Sequence, residues 1–350
     1  MAIPPAITGH PPVRSHPGTR TLLENMTHAE KDRLIEMHEP HWTSVWIWLG
    51  FLAVVGLIWT LQLWAMTTGP GWLVVPLVLI LAHLYHSHLL AFHEAAHGSL
   101  CPNPRWNDRL GIFIGIFGFM VFSLFRAVHH SHHAYLATER DEELWPFVKT
   151  DKPRWFRRLA AILELTFGLI YTPFLFLRAF LRKGSIIQNR ARRRRIWLEI
   201  ALVAAVWSVI VAATAWWGAW RFFLVMFVAP ASLAGSMQSL RKYIEHMGML
   251  GATVLSSTRT VVSDGPAGRF LAFTLFHEPY HGVHHKFARL PYLALPKFTA
   301  ELTPSLPDEI CPFPTYRDAF KDMAGSLSDP RVGAQWLRHS RIDSASLRAA

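Results

Sequence analysis

Four histidines fall within nine residues near the C-terminal third of the chain: His277, His281, His284 and His285. The last three form an HxxHH frame. A second such frame, His129-xx-His132-His133, lies upstream, and His93 and His97 stand four apart. Residues at i, i+3 and i+4 share one helical face, so each frame can aim its imidazoles at a common point. His246, in Tyr243-Ile-Glu-His246, completes a set of nine. Neutral imidazole suits iron, zinc, copper and nickel. One HxxxH offers only two nitrogens, whereas the whole set could supply about four or five to each of two metals. A shell of nitrogens without thiolates disfavours an iron–sulfur cluster. The lack of clustered carboxylates disfavours magnesium or calcium. Iron with a position open to O2 fits best.

Seven neighbours are candidates to orient these rings from behind: His86, Glu94, Asp141, Glu142, Glu245, His277 and Glu278. His86 precedes His93 by two helical turns on the same face. His130 falls outside the HxxHH frame and is not read as a ligand. His93-Glu94-Ala-Ala-His97 also matches HExxH, which would make Glu94 the general base of an intramembrane zinc protease. That reading leaves both HxxHH frames unused. A metal transporter would place ionisable groups in mid-span, and here they gather at the ends of apolar runs.

The elements that must carry these groups are helices in a bilayer. Of 350 residues, 51% are hydrophobic and only 17% charged, below the quarter typical of soluble domains. The net charge of +11 marks cytoplasmic loops and contact with anionic lipid. The basic residues interrupt apolar helices and form no separate domain, so a nucleic-acid partner is not expected. Cys101 and Cys311 fit no paired motif and read as free thiols. The N-terminus lacks a charged region followed by an apolar one, so no cleaved signal peptide is expected. Thr27-His-Ala-Glu30 reads as a capping box opening a short amphipathic helix that Pro40 stops.

Four apolar runs are long enough to cross about 30 Å of hydrocarbon: Trp46–Met66, Trp72 to about Ala91, Ile196–Trp217 and Phe222–Leu240. Trp216, Trp217 and Trp220 read as an interfacial belt. Two further runs, Gly111–Phe125 and Leu159–Leu181, are placed on the membrane surface. If the first crossed, the second histidine cluster would face the wrong side. The second is bracketed by Lys152, Arg154, Arg157 and Arg158 on one side and by Arg182, Lys183 and the arginines of 190–195 on the other. The fold expected is therefore an all-α integral membrane protein. It has four transmembrane helices, interfacial helices and a cytoplasmic histidine-rich di-metal cap. Residues 1–41 form a cytoplasmic N-terminal segment, 42–296 the membrane domain, and 297–350 a cytoplasmic C-terminal segment.

With these motifs in place, the chain resembles the membrane fatty acid desaturase family. That family shares its architecture with alkane hydroxylases and carotenoid ketolases and hydroxylases. His93-xxx-His97 is similar to the first histidine box. His129-xx-His132-His133, preceded by Arg126 and followed by Asp141-Glu142, is similar to the second. His281-xx-His284-His285, trailed by Pro291-Tyr-Leu-Ala-Leu-Pro296, is similar to the third. Tyr243-Ile-Glu-His246 resembles the extra histidine after the last span. The resemblance implies two iron ions bound by the nine histidines and O2 as co-substrate. The activity implied is oxidation of an unactivated C–H bond, most directly acyl-lipid desaturation, with hydroxylation or ketolation as the alternative. It further implies a lipid substrate from the membrane and a separate electron donor, a ferredoxin or a b-type cytochrome with its reductase. The expected location is a bacterial inner membrane, with the active site and both termini cytoplasmic. One departure stands out. Some desaturases have Asn four residues before the extra histidine, and this chain has Lys242, which cannot accept a hydrogen bond from a metal-bound water.

Overall fold

The computed structural model describes residues 39–337. The capping box at Thr27–Glu30 and its helix lie outside the described residues, as do most of 1–41 and the end of 297–350. Among the described residues the architecture is all-helical, with one isolated bridge between Val261 and Phe313.

α1 (Thr43–Thr67) and α2 (Val74–His97) form an antiparallel pair joined through a short 3-10 turn, Gly71–Leu73. α2 ends where Gly98 takes φ 77°, a left-handed cap that glycine adopts without strain. That stop leaves His93 and His97 in the last turns of the helix. Asn103 then caps α3 (Pro104–Phe117), accepting from the amides of Arg105 and Trp106 with Pro104 at the first position. α3 and α4 (Phe122–Ala134) meet at 102°. The apolar run Gly111–Phe125 is thus broken across residues 118–121 and turns back on itself. This returns the second histidine frame, on α4, to the end of α2.

α5 (Arg154–Leu181) bends at Phe167, and α6 (Arg190–Trp216) is capped by Asn189. α7 (Trp220–His246) contains a π-helical turn at Leu224–Val228. Pro230 has no N–H to give the carbonyl of Met226 one turn back. The Tyr85 hydroxyl donates to that carbonyl instead, at 2.9 Å. Gln62 Nε2 donates to Val225 O at 3.3 Å. α7 packs along both α5 and α2. The α5 crossing is close, since a Cβ at Gly168 would lie 2.2 Å from the Gly235 carbonyl oxygen.

Among the described residues, five helices are long and apolar enough to cross a membrane, one more than the four expected. The extra one is α5, whose Leu159–Leu181 run is kinked at Phe167 but stays helical through Pro173. Two observations bear on the side of the membrane that α5 occupies. His97 and His246 end in one cluster, so an even number of crossings separates them, and α6 and α7 already supply two. Both ends of α5 are also tied to cap segments. Arg157 Nε donates to Pro330 O at 2.8 Å, and Arg178 Nη2 to Glu142 Oε2 at 2.6 Å. The shared cluster thus favours four crossings. At the far end of the bundle, Trp72, Trp216 and Trp217 are each more than 70% exposed, a position suited to an interfacial belt.

Short helices α8 (Val254–Ser257), α9 (Pro266–Thr274) and α10 (His281–Lys286) complete the cap, with α11 (Tyr316–Ala324) on the C-terminal wrap. That wrap is pinned by Gly248 N to Arg331 O at 2.9 Å and Trp336 Nε1 to Phe147 O at 2.8 Å.

Candidate metal centre

The end of α7 brings His246 to the place where three histidine frames meet, one at the end of α2, one on α4 and one on α10. In each, α-helical spacing puts the frame on a single face. The structure gathers all nine histidines into two adjoining groups. In the first, ring nitrogens of His93, His97, His129, His133 and His284 lie within 4.8 Å of one another. The second combines His132, His246 and His285 with the overlapping trio Glu245, His246 and His281. His133 and His285 stack across the boundary, their ring centroids 4.2 Å apart.

Ring nitrogens face each other at hydrogen-bonding distance. His97 Nε2 lies 2.8 Å from His129 Nε2, and His133 Nε2 is 3.1 Å from both His129 Nε2 and His284 Nε2. In the second group His281 Nε2 is 2.9 Å from His246 Nε2 and 3.1 Å from His285 Nε2. The outer nitrogens explain what these inner ones carry. His129 Nδ1 faces Glu143 Oε2 and His132 Nδ1 faces Asp141 Oδ2, both at 2.8 Å. His281 Nδ1 faces Glu278 Oε1 and His246 Nδ1 faces Ser257 O, both at 3.1 Å. A ring that donates its Nδ1 proton outward presents a bare Nε2 lone pair inward. Burial, and after it the neighbouring imidazoles, push His133, His281, His284 and His285 well below 6.5. Neutral rings with converging lone pairs repel unless a cation lies between them, so the donor set fits metal ions.

The carboxylates behind the rings differ in part from expectation. Asp141, fully buried, also accepts from the amides of Ala137, Glu143 and Leu144, which fixes it behind His132. Burial raises and Arg241 lowers the Glu278 carboxyl, leaving it pushed up to about 7. Glu278 spans both groups, with Oε2 3.5 Å from His93 Nδ1. Glu245 Oε2 lies 3.6 Å from His281 Nε2, so one carboxylate joins what was expected to be an all-nitrogen set. Arg241 Nη1 is shared by both acids, at 2.5 Å from Glu245 Oε1 and 3.2 Å from Glu278 Oε1.

Four expected neighbours stand elsewhere. Glu94 turns away from the rings, accepting from Ser99 Oγ at 2.9 Å and Tyr292 N at 3.2 Å. It therefore ties the first box to the segment trailing the third, and a general-base role facing a metal is not supported. Glu142 pairs with Arg178 and Arg182, because its neighbour Glu143 takes the place behind His129. His86 pairs with Gln238, and His277 Nδ1 with Tyr292 O at 3.0 Å. His130, not read as a ligand, meets Ala96 O at 3.0 Å. Lys242 is engaged in an ion pair with the fully buried Glu164, whose other oxygen accepts from the Tyr243 hydroxyl at 2.8 Å. Glu143 and Gln238 were missed in the sequence.

Fold and site together define a polytopic helical membrane protein with a two-part polyhistidine centre at the ends of its spans. The family model for fatty acid desaturases matches residues 70–317, well over half the sequence, and the chain belongs to this family. It is also similar to zeaxanthin 4-ketolase of Chlamydomonas reinhardtii, at 26% identity over 266 residues. That match covers 73% of this chain and 51% of the relative, so the chain spans about half the length of the curated relative it matches.

Proposed function

We propose that this protein is an O2-dependent, non-heme di-iron oxidase that attacks an unactivated C–H bond of an apolar substrate drawn from the membrane. The observation that carries this reading is the pairing of nine converging imidazoles with an apolar chamber that reaches them at His93. His93, His97, His129, His133 and His284 would hold one iron, and His132, His246, His281 and His285 the other. Iron bound there supplies oxidising power from O2, with electrons from a separate ferredoxin or b-type cytochrome and its reductase.

The chain's own residues do the rest. Asp141, Glu143 and Glu278 hold the outer ring protons and fix the imidazoles in one orientation. Phe92 and Phe125, packed 4.8 Å apart beside His93, keep water from the substrate side. The chamber aligns one carbon of the substrate with the centre. The site faces the cytosol, where basic loops and reductant are found, and a bacterial inner membrane suits this arrangement.

Membership of the desaturase family supports introduction of a C=C bond into an acyl lipid. The similarity to a ketolase supports a second reading, in which a CH2 carbon gains oxygen and loses both hydrogens to become a ketone on the same scaffold. Incubating membranes containing the protein with donor, O2 and acyl or carotenoid lipid, then weighing the products, separates them. Loss of two hydrogens alone means desaturation, gain of one oxygen means hydroxylation, and gain of one oxygen with loss of two hydrogens means a ketone. No O2-dependent product from either class by the iron-loaded protein contradicts the proposal.

A further inference from the structure

Two chambers lead from the lipid side toward the centre. The outer one, about 200 Å³, lies among Leu52, Trp59, Tyr85, Phe117 and Phe227. The inner one, about 50 Å³, shares Leu89, Gly118 and Leu169 with it and ends on His93. The inner wall is apolar except for His93 itself, Thr172 on α5 and Gln238 on α7.

Gln238 is held from behind. His86 is 3% exposed, its Nε2 lies 3.0 Å from Gln238 Oε1, and its Nδ1 has no hydrogen-bond partner. An imidazole bonded only to a carbonyl oxygen must carry its proton on the nitrogen that faces it. His86 therefore donates to Oε1 and fixes which end of the amide is spent. The Nε2 hydrogens of Gln238 and the hydroxyl of Thr172 have no protein partner among the described residues. A plain hydrocarbon would leave both groups unpaired in a low-dielectric chamber, which is costly. Building a histidine into a membrane span to orient that amide is costly too, unless the amide meets something.

We propose that Gln238, positioned by His86, donates a hydrogen bond to an oxygen of the substrate close to the carbon attacked. This rests on the C–H oxidation reading above and narrows the substrate to an apolar molecule bearing an acceptor oxygen near its reactive carbon. A ring hydroxyl or an oxygen on a chain supplies the same acceptor.

The test uses the full-length, iron-loaded protein in phosphatidylcholine vesicles. Binding is read by quenching of tryptophan fluorescence, with zeaxanthin and β-carotene as a ring pair with and without hydroxyls. 12-Hydroxystearate and stearate, competing against the polyene, form the chain pair. Wild type is expected to favour the oxygenated member of one pair by about tenfold, and which pair identifies the source. Gln238→Leu and the near-isosteric Gln238→Met, which lacks the donor, bring that ratio to within about twofold. Both keep their iron, and the oxygen-free member binds as before. His86→Ala lowers the ratio without loss of iron. Equal binding within both pairs by wild type overturns the proposal, as does retention of the preference in both Gln238 variants. A preference that persists while neither probe gives an O2-dependent product supports the recognition and sinks the oxidase reading. Equal binding with product formed sinks the recognition alone.

Discussion

The Glu143 carboxylate lies 2.8 Å from Nδ1 of His129, and the opposite nitrogen of that ring lies 2.8 Å from His97 Nε2. Glu143 thus fixes the tautomer and direction of a ring in the first histidine group. Glu143→Ala should weaken iron binding by about 10–100-fold, measured by iron retention against a graded chelator. Glu142→Gln is the contrast. Its partners are Arg178 and the one-third exposed Arg182, so it should cost about 2 kcal/mol of stability with little effect on chelator resistance.

Arg241 is the shared counter-ion of Glu245 and Glu278, and all three are buried. Arg241→Met strands two carboxylates beside the rings of His281 and His93. The expected loss is about 3–5 kcal/mol, seen as a large drop in the thermal midpoint. Wild-type stability in this variant would contradict the assignment.

The α5–α7 crossing depends on absent side chains. At Gly168 a Cβ meets the Gly235 backbone, whereas at Gly50 it meets nothing within 4 Å. Gly168→Val should cost about 3 kcal/mol or prevent accumulation. Gly50→Val should be close to neutral, with both read by thermal unfolding in detergent.

Tyr85 and Pro230 should be coupled through the Met226 carbonyl. Tyr85→Phe leaves that oxygen unpaired, at a cost of about 1–3 kcal/mol. Pro230→Ala restores a helical N–H to bond it. A double-mutant cycle should therefore show the pair less destabilised than the sum of the singles. Strict additivity would mean that the tyrosine does not replace the missing helical bond.

Much of the centre was legible because helical spacing is visible in sequence. HxxxH and HxxHH fix which rings share a face before any fold is known, and apolar runs locate the helices that carry them. What lies between helices was not legible. After α4 the chain turns through Ala137 at φ 57°, so no period says whether Glu142 or Glu143 points back at His129. The break between α3 and α4 includes Phe119 at φ 55°, within a run that reads as one apolar segment. Lys242 drew notice as a departure from the family pattern, but its partner Glu164 lies 78 residues away. Gln238 carried a usable signal that went unread, a polar residue inside a span. The outer chamber forms where α1, α2, α3, α5 and α7 meet, and the inner one where α2, α4, α5 and α7 meet.

The proposed chemistry requires imidazoles meeting around metal, and the iron content of the purified protein tests this most directly. Wild type should hold one iron for each histidine group, and His284→Ala should lose iron together with all O2-dependent turnover. Full iron content and turnover in His284→Ala, or a wild-type protein that takes up no iron, would contradict it.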